Sequence, residues 1–192
     1  MNELHAHLAA SAAEAARIAR GVRPEQLAAP TPCAEYDVRA LVNHWVLFTS
    51  HGLECRARRR PIPEELMERD FTADPRWAEA YAAQLDRAVA AWAEPAAWEG
   101  PILIGDQELP AGDVLKLIIK ELTVHGWDVA RATGQDIAVS PEVGELMLKV
   151  VAEHAELYRR YEGFAEPVAV AAGAPAFERA LAESGRDPRW TP

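Results

Sequence analysis

Residues 113–131 read DVLKLIIKELTVHGWDVAR. Val114, Ile118, Leu122 and Val129 recur at helical spacing and predict an amphipathic helix over about 112–133, closed by Gly134. Glu121 and His125 fall on the same stripe, on the face that should be buried. A carboxylate in an apolar interior is costly unless something compensates it, and a cation is the simplest compensation. Glu-x-x-x-His on one helix aims both side chains at one point, which suits two ligands of one metal ion. The same pair also fits an ordinary hydrogen bond along the helix.

The rest of the chain reads as a row of helices. Leu4, Leu8, Ala12, Ala15 and Ile18 mark a first helix over residues 3–21, and 28–36 (AAPTPCAEY) is a loop. Asp37 is the expected N-cap of a second helix whose stripe is Val38, Leu41, Val42, Trp45, Val46 and Thr49, running to about Arg60 before Pro61 and Pro63. Trp77, Tyr81, Leu85, Ala88 and Trp92 predict a third over about 76–93, and residues 98–110 a short hairpin or extended loop. Ser140-Pro141 starts a fifth helix through Tyr158, followed by an extended PVAV stretch (167–170) and a short helix near 176–184. This pattern predicts an all-α bundle in a single domain over 1–192, with its core over 3–134 and a C-terminal helix and tail over 140–192.

Composition narrows the function. The chain has 192 residues with 20 basic and 30 acidic side chains, a net charge of −10 that opposes binding to nucleic acid. No apolar run reaches membrane-spanning length, and the N-terminus lacks the layout of a secretory signal. Cys33 and Cys55 cannot build a disulfide framework, so a reduced, cytoplasmic protein is expected, as a monomer or homodimer.

A third metal ligand must come from another helix, and His44, beside Leu41 and Trp45, is the best placed. His51 lies seven residues on, rotated by only about 20° on a straight helix, and also faces that cavity. His44 is preferred because it sits nearer the middle of the apolar stretch. Asp128 is positioned either to orient His125 or to pair with Arg131. His154 reads as a core or groove histidine, His5 and His7 as solvated, and Arg56, Arg58, Arg59 and Arg60 as a solvated helix end rather than an anion site.

Four segments together resemble a known family: Thr31-Pro32-Cys33 leading through Tyr36-Asp37-Val38-Arg39 to Asn43-His44; Glu121 to Gly134; Phe164 with Pro167-Val168; and Gly185-Arg186-Asp187-Pro188-Arg189-Trp190. The combination is similar to the DinB-like metal-binding superfamily, and more closely to the branch sharing the N-terminal domain of mycothiol-dependent maleylpyruvate isomerases. The resemblance implies a four-helix bundle of up-down-down-up topology with His44, Glu121 and His125 as metal ligands. Another pattern in that superfamily has His where this chain has Glu121. The isomerases carry a further C-terminal domain, which is not expected after Pro192. Gly126 stands where relatives often have a larger residue, which suggests room beside His125.

Two imidazoles and a carboxylate leave a coordination position open, the catalytic pattern for zinc. Zinc is the first choice, and nickel, iron or manganese suit the same donors. The expected activity is thiol-dependent transfer or isomerisation of a small electrophile, with mycothiol or a similar low-molecular-weight thiol as co-substrate and His51 or Asp128 assisting proton transfer. The alternatives are a hydrolase using metal-bound water and a non-catalytic metal- or ligand-binding module.

Overall fold

The computed structural model describes residues 2–192. It is mostly helical, with one two-stranded sheet. Helix α1 spans Glu3–Arg20, α2 Val38–Val46, α3 Gly52–Ala57, α4 Glu64–Met67 and α5 Trp77–Ala93; strands β1 (Pro101–Ile104) and β2 (Gln107–Pro110) precede α6 (Ala111–Ala132), α7 (Pro141–Arg160) and α8 (Ala176–Glu183). No described helix is long and apolar enough to cross a membrane.

The expected capping residues act where the sequence put them. Asp37 accepts from the Ala40 amide and Ser140 from the Val143 amide, each satisfying an N–H that a helix start leaves free. Gly134 ends α6 with φ +71°. The hairpin turns at Gly105-Asp106, where Gly105 takes φ +58° and Ile104 pairs with Gln107. Residues 167–170 do not pair as a strand; Val168 instead donates its amide to the Ala182 carbonyl at the end of α8.

Helix α6 is central. It packs against α1, α2 and α7; α1 also packs along α5, and α7 carries α8. Trp45, Trp92, Tyr81, Leu115, Ile119 and Leu122 are fully buried between these elements. Their polar atoms are satisfied, as buried polar groups must be. Trp45 donates to the Leu122 carbonyl, Trp92 to that of Leu53, and the Tyr81 hydroxyl pairs with Thr49 at 2.8 Å.

The second helix is not a regular helix to its end. Between α2 and α3 lies a π turn, Leu47–His51, in which Gly52 donates its amide to the Leu47 carbonyl five residues back. The Thr49 and Ser50 hydroxyls donate to the carbonyls of Trp45 and Val46, both at 2.6 Å. A π turn inserts one residue, so side chains beyond it are rotated by about 100° from straight-helix positions.

Two polar clamps fix the connections. Asn43 on α2 donates to Asp70 and accepts the Phe71 amide, while Arg39 reaches Asp70 and Thr72. Hydrogen bonds from Thr72 and Asn43, with the Arg39 guanidinium, hold the Asp70 carboxyl at about 2, below its ordinary 3.8. At the other end, Arg186 in the tail donates from Nε and Nη2 to Asp128 on α6, both at 2.8 Å, in a buried bidentate pair. Gly185 has φ +83°, and a Cβ there would stand 2.6 Å from the Ala165 Cβ, so the turn presenting Arg186 requires glycine.

Asp70→Asn should cost about 1 kcal/mol at pH 7, less than the pKa shift alone implies because the pair is partly solvated. A lowered carboxyl pKa stabilises the fold above its unfolded value. Urea unfolding should therefore show the gap between wild type and variant closing as pH falls from about 4 to about 2. Arg186→Met leaves the buried Asp128 charge without its main partner and should lower stability by about 3 kcal/mol in the same assay at pH 7.

Candidate metal centre

His44 comes from α2, just before the π turn, and Glu121 and His125 from adjacent turns of α6. Their side chains converge. Glu121 Oε2 lies 3.3 Å from His44 Nε2 and 3.1 Å from His125 Nε2, and the two imidazole rings meet edge to face at 5.2 Å. Among the described residues, the three donor atoms lie within 4.8 Å of one another. Two imidazole nitrogens and one carboxylate oxygen are a donor set suited to a divalent metal.

Neighbouring side chains leave each donor one way to point. Asp128 accepts from His125 Nδ1 at 3.0 Å, which leaves Nε2 facing Glu121. Lys120 engages the other Glu121 oxygen, Oε1, so Oε2 is the one presented to the imidazoles. The Lys120 ammonium is buried, 4.2 Å over the Tyr158 ring and 5.5 Å from that of Phe164. His44 packs between Tyr36 and Phe48.

Charge balance keeps the cluster ionised. Burial pushes the Glu121 carboxyl up, but Lys120 and His125 outweigh it and hold its pKa well below the usual range. Burial pushes the His125 imidazole down, and Glu121 with Asp128 raises it overall. Burial likewise opposes ionisation of Asp128, and Arg186 with His125 reverses that. The side chains of His44, Glu121 and His125 keep 27%, 23% and 12% of their surface, so the site is reachable from outside, whereas Asp128 keeps none.

Two cavities meet at His44, Glu121 and Tyr158. One, of about 240 Å³, is lined otherwise by Phe48, Arg56, Ile104, Val114, Leu117 and Ile118, and is largely apolar. The other, of about 170 Å³, adds Cys33, Glu35, Tyr36, Lys120, His125 and Arg186 to Val124 and Phe164, and is the more polar of the two. Cys33 Sγ also lies within 4.8 Å of donor atoms of His125 and Asp128. That second group suits a metal less well, because both Asp128 oxygens are occupied and burial pushes the thiol up to about 11.

Several expectations change on contact with the structure. His51 does not join His44. It stacks on Phe71 at 5.4 Å in a separate cavity with Arg69 and Arg87, and burial with those cations lowers its pKa. The π turn is the reason. On a straight helix His51 sits about 20° from His44, and one inserted residue moves it to about 120°. The same insertion brings Arg56, otherwise about 120° away, to within about 20° of His44.

Asp128 pairs with Arg186 rather than Arg131, which donates to the Trp190 carbonyl. Asp128 is sealed, so it positions His125 and does not exchange protons with a ligand. His5 is buried with Nε2 donating to the Val89 carbonyl, not solvated. Gly126 opens no space at the site, because a Cβ there would lie 3.3 Å from the Trp45 ring in the core. The arginine run divides. Arg58 pairs with Glu54, Arg59 donates to the carbonyls of Ala97 and Glu99, and Arg56 turns into the apolar cavity.

Sequence periodicity does not mark Lys120, Arg186 or Tyr158 as site residues. Arg186 belongs to the Gly185–Trp190 segment, but nothing in the sequence alone joins it to Asp128 across 58 positions.

The chain is 28% identical over 169 residues to "Uncharacterized protein Rv0738" of Mycobacterium tuberculosis strain ATCC 25618 / H37Rv, covering 88% of this chain and 87% of that one. The same figures hold for "Uncharacterized protein MT0763" of strain CDC 1551 / Oshkosh. No solved structure gives a significant match. The family described as mycothiol maleylpyruvate isomerase N-terminal domain matches residues 8–130, from α1 nearly to the end of α6, including all three converging donors. The chain therefore belongs to the mycothiol maleylpyruvate isomerase N-terminal domain family.

Proposed function

We propose that His44, Glu121 and His125 hold one divalent metal ion, zinc by preference, and that the protein uses it in a thiol-dependent transfer or isomerisation of a small electrophile. The observation that carries this reading is the convergence of two imidazole nitrogens and one carboxylate oxygen where two cavities meet, one of them richer in charged side chains than the other. Family membership supports a mycothiol-type co-substrate. The fold fits a DinB-like four-helix bundle, with α1, α2–α3, α5 and α6 as its members and α7 and α8 added in the same domain. Thiol chemistry and two free cysteines suit a reducing, cytoplasmic setting.

A divalent ion with an open position lowers the pKa of a thiol that reaches it and so supplies a nucleophile at neutral pH. The chain's own residues do the rest. Lys120 and Asp128 keep Glu121 and His125 aimed at one point. The polar cavity, with Tyr36, Lys120 and Arg186 on its wall, receives the polar body of the thiol. Glu35, the exposed carboxylate on that wall, accepts the thiol proton and passes it to solvent. The apolar cavity on the other side of His44 and Glu121 holds the electrophile and keeps water from it.

Glu35 also keeps a second reading open, since a free carboxylate beside such a site can serve hydrolysis as a general base.

Wild-type protein loaded with zinc and desalted should retain one ion per chain, and His44→Ala or Glu121→Gln should lower its affinity by at least about 100-fold. Lys120→Met, which removes a supporting contact only, should cost about 10-fold or more. Full metal content in His44→Ala and Glu121→Gln, measured by elemental analysis, overturns the ligand assignment. In the cobalt-substituted protein, mycothiol should change the visible spectrum through sulfur-to-cobalt charge transfer. A spectrum that responds to pH but not to thiol points instead to hydrolysis.

A further inference from the structure

Arg56 is a cation with no carboxylate in contact; Glu121, on the same cavity wall, acts on it only at a distance. Its guanidinium makes no hydrogen bond or ion pair with any described residue, and Nη1 is sealed from solvent with no partner. Carboxylates are available nearby, but Glu54 is taken by Arg58 and Gln84. The side chain lies back along its own helix over Gly52, where a Cβ would stand 2.5 Å from Nη1. Glycine at that position and the π turn before it together leave room for the guanidinium on the wall of the 240 Å³ cavity.

An unpaired donor in that position costs free energy that a ligand anion recovers. Apart from Arg56, the cavity wall is Phe48, Ile104, Val114, Leu117 and Ile118, with His44, Glu121 and Tyr158 at the junction. A single guanidinium with no second cation beside it suits a monoanion, and its planar fork matches a carboxylate. The volume holds about eight water-sized groups. The chain carries a net charge of −10, so an anionic molecule needs a local cation to enter.

We propose that this cavity is a carboxylate-binding subsite, with Arg56 as the anion anchor, and that the electrophilic substrate is a small monocarboxylate with an apolar body. The substrate assignment rests on the thiol-transfer reading above; the binding does not. The carboxylate seats on Arg56, and the apolar body extends along Phe48, Leu117 and Ile118 toward His44 and Glu121. Arg56 is a specificity residue that selects and orients the substrate.

The test is a ¹⁹F NMR titration of the full chain, zinc-loaded and metal-free, with 4-fluorobenzoate and the neutral 4-fluorobenzyl alcohol. Wild type should bind the carboxylate at least about tenfold more tightly than the alcohol in both forms. Arg56→Gln should abolish that preference and leave alcohol binding within about twofold, while Arg56→Lys should keep part of it. Leu117→Trp, which fills the cavity, should weaken both probes. Equal affinities in wild type overturn the proposal, as does a preference that survives in Arg56→Gln, that appears only with zinc, or that persists with the cavity filled. The wild-type comparison and Leu117→Trp decide the matter if Arg56→Gln does not fold. Failure of the cobalt–thiol titration with this preference intact overturns the thiol reaction and leaves the carboxylate subsite standing.

Discussion

Asp128 carries a full charge with no access to water, and the site depends on how that charge is met. Arg186 meets it from the tail and His125 from the same helix. Neither partner is optional, because a buried carboxylate with unfilled lone pairs would protonate or force the structure open. Docking of the tail therefore comes with the ionisation of Asp128. Once Asp128 is in place, His125 has one nitrogen committed, and the other faces Glu121 and His44. The orientation of a donor atom on α6 is thus governed by a residue 58 positions away in the chain.

The π turn makes a comparable choice on the opposing helix. One inserted residue lets His44 face α6, sends His51 toward Phe71, and returns Arg56 to His44's side. The turn is held by local means, since the Thr49 and Ser50 hydroxyls serve carbonyls in the turn before. Thr49 also ties the turn to Tyr81 in the core of α5. A change that is small in the backbone therefore decides which of two histidines joins Glu121 and which cation shares their cavity.

Much of this was legible in the sequence, and the reason is periodicity. Val114, Ile118, Leu122 and Val129 define the buried face of α6, so Glu121 and His125 stand out as polar residues that need an explanation. Asp37, Ser140 and Gly134 mark helix ends through chemistry local to each residue. What was not legible depends on contacts between distant segments or on irregular backbone. The Arg186–Asp128 pair links the tail to α6, and Lys120 is buried only because Tyr158 and Phe164 cover it. A regular helix would set His51 beside His44, and the π turn sets it on Phe71 instead. Nearness to the terminus suggests a solvated His5, although α5 covers it through Val89.

The division between matched and unmatched chain has a physical counterpart in the site. The family match ends at Ala130, and the three converging donors lie inside it. Tyr158, Phe164 and Arg186, which form part of the polar cavity's wall, lie beyond it. Donor atoms decide what class of reaction a centre can support, whereas walls decide which molecule reaches it and how it is held. Tyr158 lines both cavities, so a change in α7 alters both approaches to the same three donors at once. The unpaired Arg56 shows the complementary case, in which a residue within the matched segment is free to select because no protein carboxylate hydrogen-bonds to it.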